Sequence, residues 1–387
     1  MAKTVSCVAC SSYEMSEVKR SVRQALDLLG GPGSFVRPDM TVFVKPNLLA
    51  GVDPARSVTT HPEVVAAVAR LLTGYGCRVV IGDSPGAGTR YTPASLKRIY
   101  RRCGIAPHGE IPGVILNDDI SHTTIPSPDG QVVKRFLIIR PAVEADLIVS
   151  ISKPKTHLLT TYTGAVKNLF GLVPGHEKSL FHSRFPDAEG FSRMLVDLTL
   201  AVPPVLHVMD AVWGMEGNGP MSGEPRYVGR ILASWDPFAL DLVACRAIGI
   251  PEDLVPVLSI ARDRRLLTDD PLVPGDGFDP LENGPFLLPD TIRPAGLRMK
   301  ITRKLLAHLQ KSGRVFIPRP AVVSSACIRC GACVEICPVE AISLADGSAA
   351  IDRSLCIRCY CCHESCEAAA IAIARGLFPG ITRRQRQ

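Results

Sequence analysis

Cys327-Ile-Arg-Cys330-Gly-Ala-Cys333-Val-Glu-Ile-Cys337 is followed 29 residues later by Cys356-Ile-Arg-Cys359-Tyr-Cys361-Cys362-His-Glu-Ser-Cys366. Two successive C-x2-C-x2-C-x3-C runs form an internal repeat. The segment between them, AISLADGSAAID (341–352), alternates apolar and polar residues and breaks at Asp346-Gly347, which predicts a β-hairpin. Each half therefore reads as a cysteine loop, a short helix and a strand. Nine of the 14 cysteines lie between Cys327 and Cys366; Cys7, Cys10, Cys77, Cys103 and Cys245 are scattered. A secreted disulfide framework would be short and carry an export signal, whereas MAKTVSCVACSSYE at the start has no signal-peptide core. Zinc favours paired C-x2-C knuckles with a longer gap between the pairs. Three evenly spaced cysteines plus a fourth, twice over, point to iron–sulfur clusters.

The spacing is similar to that of bacterial two-cluster ferredoxins. Three thiolates two residues apart wrap one face of a cubane, and the fourth, on the helix behind, reaches the neighbouring cluster through pseudo-twofold symmetry. This assigns Cys327, Cys330, Cys333 and Cys366 to one [4Fe–4S] cluster and Cys356, Cys359, Cys362 and Cys337 to the other. Gly331 and Ala332 allow close backbone approach, so peptide N–H groups can donate to cluster sulfur. Pro338 follows the first run as the pattern expects, but Glu367 stands where a second proline would be. Cys361, beside Cys362, reads as a small packed thiol, with a ligand swap as the alternative.

Upstream, the first ~270 of 387 residues alternate β-branched runs with helical patterns, predicting an α/β domain with a mostly parallel sheet flanked by helices. Expected strands are 41–44, 78–81, 147–151, 205–208 and 231–234. Residues 62–73 read as an amphipathic helix, with Thr60 and Glu63 as its capping box. The domain boundaries follow: an α/β domain over 1–290, a basic helix or linker over 291–320, a small α+β two-cluster domain over 321–375, and a basic tail over 376–387. The net charge is +7, yet residues 293–319 alone hold eight Lys or Arg and no acid, so the remainder sums to −1. A local stripe of this kind argues against general nucleic-acid binding. It fits a solvated helix face, with docking of an acidic donor or a membrane surface as the alternative. No apolar run approaches the ~20 residues of a membrane span, so a soluble, cytoplasmic protein is expected.

Each expected strand runs into polar residues: Lys45-Pro-Asn47, Gly82-Asp83-Ser84, Lys153-Pro-Lys155-Thr-His157, Asp210 and Asp236. In open parallel sheets the carboxyl ends of strands line the ligand crevice. The stretches VFVKPNLL, TTHPEVV, VVIGDSPG, ISKPKTH, GAVKNLFGLVPG, MEGNGPMSGEP and SWDPFALDLVA resemble the family called domain of unknown function 362, which often carries a C-terminal two-cluster ferredoxin module. The resemblance runs over roughly residues 5 to 370. It implies an iron–sulfur redox protein with an α/β domain and brings no settled reaction with it.

Lys45, Lys153, Lys155 and Lys167, with Asn47 and Asp83, are the candidate binding residues for a carboxylate or phosphate. Lys153 and Lys155 alternate around Pro154 and are expected to point the same way. His61 and His157 are the candidate proton donors, against a reading as satisfied histidines. GDSPGAG lacks the Rossmann spacing, which argues against a nicotinamide site. Asp236 reads as a helix cap. Glycines 217, 219 and 223 mark either a mobile lid or a structural turn. Cys7 and Cys10 fall on opposite faces of a first strand, so they are not a redox pair. The leading expectation is an oxidoreductase that passes low-potential electrons from a redox partner protein through two [4Fe–4S] clusters to a small anionic substrate or cofactor at the strand ends. The alternatives are an electron-transfer or activator protein whose α/β domain docks a partner enzyme, and a cluster-delivery protein.

Overall fold

The computed structural model describes residues 3–86, 88–175, 177–202, 205–279, 284–292, 318–345 and 347–374. The predicted basic helix and basic tail lie outside them. Fifteen strands are described in chain order: β1 (Ser6–Ala9), β2 (Thr41–Pro46), β3 (Arg78–Ile81), β4 (Val114–Leu116), β5 (His122–Pro126), β6 (Arg135–Ile139), β7 (Leu147–Ser152), β8 (Lys155–His157), β9 (Thr161–Thr163), β10 (Val205–Glu216), β11 (Glu224–Ser234), β12 (Arg319–Val322), β13 (Ile342–Ala345), β14 (Ser348–Ile351) and β15 (Ile371–Ala374).

The central sheet runs β1-β11-β10-β7-β2-β3-β4, with β8 and β9 extending from β10. From β10 to β4 all neighbours are parallel. Its strands are buried on both faces, and alternate residues feed two cores. Val42 and Val44 pack under the helices Met15–Asp27 and Pro62–Gly74, while Phe43 and Ile148 pack against the helix Ala188–Ala201 on the other side. Strands β1 and β11 add an antiparallel edge. That edge corrects one expectation: because β11 runs opposite to β10, Asp236 emerges at the far edge of the sheet from Lys45. There it caps the helix Pro237–Ala247 through Ala239 N (2.7 Å) and pairs with Lys3 at 2.5 Å.

The helix Pro62–Gly74 forms as expected, but its cap differs. His61 Nδ1 accepts from Glu63 N (3.3 Å), while Thr60 Oγ1 accepts from Asn47 N and donates to Ile151 O. The threonine therefore ties the helix entry to the ends of β2 and β7. The glycine-rich stretch 217–223 links β10 to β11 in a long hairpin. A Cβ on Gly219 would sit 2.3 Å from Thr156 O, so its glycine serves close packing on β8. Cys7 and Cys10 enter different cores, as the alternation requires.

The C-terminal module pairs β12 with β15 and β13 with β14, the latter forming the expected hairpin with Gly347 at φ 91°. Its two halves repeat each other in the backbone. Arg329 and Arg358, Gly331 and Tyr360, and Glu340 and Ala369 all take positive φ at matching offsets from their cysteines. Ala341 N donates to Cys337 Sγ (3.1 Å) and Ala370 N to Cys366 Sγ (3.2 Å). The left-handed turns curl each loop so that its thiols face inward.

Candidate functional site

The carboxyl ends of β2, β3 and β7 and the start of β8 bring one connected polar network together. Lys155 Nζ donates to Asn47 Oδ1 (2.9 Å) and Val58 O (2.7 Å). Asn47 Nδ2 donates to Asn168 Oδ1 (3.2 Å), which also accepts from Lys45 Nζ (3.3 Å). Lys45 Nζ forms a buried ion pair with Asp83 Oδ1 at 2.8 Å, and Leu48 N donates to Asp83 Oδ2. Burial pushes Lys45 down and Asp83 up, and their mutual attraction opposes both shifts. A Cβ on Gly171 would lie 2.2 Å from Asp83 Oδ1, so only glycine leaves room for the pair.

Asn168 and Lys167 sit on the one-turn helix Ala165–Asn168, which is held from behind by Asp241. That buried carboxylate accepts from Ala165 N (2.6 Å) and Val166 N (3.0 Å), and a Cβ on Gly164 would collide with it. The motifs GAVKN and SWDPFALD are thus one structural unit: Asp236 starts the second helix and Asp241, one turn on, fixes the first. Lys178, on the helix Glu177–Arg184, donates to Ser84 Oγ and Val173 O, both at 2.6 Å. Burial takes it down to about 7, opposed by the attraction of Asp83.

These residues form the inner wall of a cleft of about 460 Å³. The C-terminal module supplies the opposite wall, with Ile328, Cys330, Ala332, Cys361, Glu364 and Ser365. The seam is close: a Cβ on Gly88 would lie 2.4 Å from Ser365 Cβ. Arg90–Glu335 (2.8 Å) and Arg102–Glu367 (3.0 Å) bridge its rim, so Glu367, at the expected proline position, makes a contact between domains. Exposed pairs like these contribute little, on the order of 0–1 kcal/mol each. Gly88→Ala is therefore expected to loosen the seam through its overpacked contact, lowering the thermal midpoint, and Ser365→Gly in the same chain should recover most of the loss. A single Gly88→Ala chain as stable as the parent would show that the two domains are not packed at this point.

Of the sequence candidates, Lys45, Asn47, Asp83, Lys155 and Lys167 meet at the cleft. His157 lies just behind it. Its Nδ1 accepts from Leu159 N (3.0 Å) and Thr160 N (3.2 Å), and its Nε2 faces Glu364 Oε1 of the module at 3.1 Å, at an angle outside hydrogen-bond geometry. Burial takes His157 down to about 4. Burial alone would raise Glu364, but His157, Lys167 and His182 outweigh it and hold the carboxyl below its ordinary range.

Lys153 and His61 belong to a separate cluster. Lys153 Nζ pairs with Asp210 Oδ2 (2.9 Å) and donates to Trp213 O and Tyr13 OH. Tyr13 OH donates to Asp210 Oδ1, and the Tyr13 ring stacks on His61 at 3.5 Å. The expected shared direction of Lys153 and Lys155 fails because β7 ends at Ser152 and β8 begins at Lys155, so strand alternation is not carried across Pro154. Asn168, Lys178, His182 and Glu364 were not singled out from sequence. Asn168 lay in the motif GAVKN, and Glu364 lies between two cysteines of the repeat. Lys178 and His182 carry no local signal.

Within the module, Cys327, Cys330, Cys333 and Cys366 line one cavity, and Cys337, Cys356, Cys359 and Cys362 line another. Four thiols around the first apolar cavity, and five around the second with Cys361, fit cubane ligation in donor type and suffice in number. Cys361 lines both the second cavity and the cleft. Cys330 lines both the first cavity and the cleft.

The family described as domain of unknown function (DUF362) matches residues 42–246, and the 4Fe-4S binding domain family matches residues 320–343. The chain belongs to the DUF362 family. It is an iron–sulfur protein of that family, its 4Fe-4S domain following the DUF362 domain. A 38% identical relative, over 67% of this chain and 78% of its own length, is the thylakoid-associated protein sll1697 of Synechocystis sp.. The lactate racemase apoprotein from Thermoanaerobacterium thermosaccharolyticum is similar with a TM-score of 0.38 at 16% identity over 64% of this chain. A protein from Thermotoga maritima gives 0.37 at 13% over 66%. This DUF362 chain spans 57% and 60% of those two chains, respectively. Among the described residues no helix is long and apolar enough to cross a membrane.

Proposed function

We propose that the protein is an oxidoreductase that reduces a small anionic molecule in the cleft with electrons received through two [4Fe–4S] clusters. The observation that carries this reading is the shared cleft: cationic strand-end residues form one wall, and Cys330, a candidate cluster ligand, stands in the other. The backbone repeat, with matching left-handed positions and matching N–H···S bonds at Cys337 and Cys366, supports a cluster in each half. When bound, the clusters would supply electrons one at a time, taken from a low-potential partner protein. Lys155 and Lys167 hold the anionic part of the substrate, and the Asn47–Asn168 pair fixes where those ammonium groups stand. His157 and Glu364, 3.1 Å apart at the back of the cleft, serve in this reading to set its local charge and not to store a proton, since both are held below their ordinary pKa ranges. A two-electron reduction then consumes two electrons from the partner and two protons drawn from water. We place the protein in the cytoplasmic compartment, where such donors operate; fractionation of cells into soluble and membrane material tests this.

The experiment is anaerobic. Protein reduced with dithionite and freed of excess reductant should be reoxidised faster by a subset of unsaturated carboxylates or phosphate esters than by buffer. Lys155→Met should abolish that acceleration while keeping the cluster spectrum. If no compound in either class accelerates reoxidation, and the reduced protein instead passes electrons to a tightly held protein partner, the docking-platform alternative replaces this reading.

A further inference from the structure

Burying a charge without a partner is costly, and proteins ordinarily pair or neutralise it. The cleft meets that rule only by weakening its own cations, since burial lowers Lys155, Lys167 and Lys178 alike. Its lining holds six Lys or Arg against four Asp or Glu, a formal excess of +2. Lys45 has Asp83, and at the rim Arg90 has Glu335. Lys155, Lys167 and Lys178 are different: none makes an ion pair within 4 Å among the described residues, and the attraction they feel comes at longer range from Glu364 and Asp83. Lys155 and Lys178 are buried and reach only neutral oxygens, and Lys167 Nζ lies 6.0 Å over the Phe191 ring. Three elements that are distant in sequence deliver these ammonium groups to one cavity of about 460 Å³, a size typical of small-molecule sites.

We infer that the missing counter-charge belongs to the ligand, and that the cleft takes a polyanion, a small molecule carrying at least two negative charges as phosphoryl or carboxylate groups. This deepens the reading of the cleft as a substrate site and rests on it for the identity of the site. Ile328 and Pro220, on other parts of the lining, suit an apolar body attached to the charged head. The charged end would lie among the lysines, leaving the rest of the molecule beside Cys330 and Cys361.

Burial also leaves a readout. Lys178 faces Asp83, Lys45 and Lys167 and is bonded to Ser84 Oγ and Val173 O; burial takes it to about 7. At pH 8 it is mostly neutral in the free protein, and a bound polyanion restores its proton. Binding should therefore take up protons, and the heat of binding should depend on the buffer's ionisation enthalpy.

The test uses the oxidised, cluster-loaded full chain, with inorganic pyrophosphate and succinate as probes and chloride at matched ionic strength as control. At least one probe should raise the thermal midpoint and bind in calorimetry with proton uptake at pH 8. Lys167→Met should weaken it at least tenfold, and Lys167→Arg should retain most of the affinity. Lys178→Met should reduce the proton uptake, the remainder coming from Lys155 and Lys167, which burial also lowers; both variants are checked for unchanged cluster absorbance. Pyrophosphate alone binding marks a phosphorylated ligand, and succinate alone marks a dicarboxylate. If neither probe binds above chloride, or Lys167→Met binds as well as the parent, the inference is overturned. Because no electron transfer is measured, binding without reoxidation would sink the redox reading alone, and reoxidation by a singly charged anion without polyanion binding would sink this one alone.

Discussion

Substituting Cys356 and Cys359 together with serine should lower bound iron from about eight to about four per chain and leave one paramagnetic centre after reduction. The same change at Cys327 and Cys330 should also leave about four, because each half of the repeat places three of the proposed ligand thiols on its own cavity and one on the other. The decisive variant is Cys337→Ala. Cys337 belongs to the first run in sequence, yet it lines the cavity of Cys356, Cys359 and Cys362. Its loss should perturb the cluster of the second run and spare that of the first. Spectra showing damage confined to the first-run cluster would refute the crossed assignment. Iron content of about four in the parent chain, prepared anaerobically, would refute the second cluster.

The next largest effect is expected at Asp83. Removing one member of a buried ion pair leaves an uncompensated charge and typically costs about 3–5 kcal/mol. Asp83→Ala also strands Leu48 N, and it takes away the attraction that Lys178 feels from the carboxylate. The penalty should depend on pH. Burial depresses Lys45 in the folded state below its ordinary 10.5. Between the depressed value and 10.5 the unfolded chain binds more protons than the folded one, so stability rises with pH. Without Asp83 the depression deepens. The loss should therefore be largest in mildly acidic solution and shrink as pH approaches 10.5, where Lys45 is neutral in both states. Combining Asp83→Ala with Lys45→Met should recover much of the loss, since a matched apolar pair is often tolerated where half a pair is not. Urea unfolding at pH 6 and pH 9 checks both points; a loss that is the same at the two pH values would show that Lys45 carries no charge in the parent.

Legibility followed the range of the interactions. The cysteine repeat was readable because its chemistry is local: ligand spacing, turn glycine and hairpin all lie within 40 residues. The parallel strands were readable because burial on both faces leaves continuous apolar runs such as VFV and LIVSI. Lys45, Asn47, Asp83 and Lys155 could be named because each lies at or just beyond the end of a strand. Strand direction at the sheet edge was not readable, so Asp236 was placed at the wrong end. The Lys153–Asp210–Tyr13–His61 cluster was hidden as well, since a break after Ser152 separates two lysines that strict alternation would keep together.

What the sequence alone determined is therefore the set of parts: an α/β domain with a mostly parallel sheet flanked by helices, a cysteine repeat with iron–sulfur spacing, and a row of polar residues at strand ends. Local spacing and burial period suffice for those. Only the tertiary structure decided that the repeat closes over the strand ends, that Lys178 and Glu364 join Lys155 and Lys167 at one cleft, and that Lys153 does not. Those outcomes depend on contacts between residues up to more than 200 positions apart, such as His157 with Glu364. Such contacts are set by how whole faces pack, and no local pattern records them.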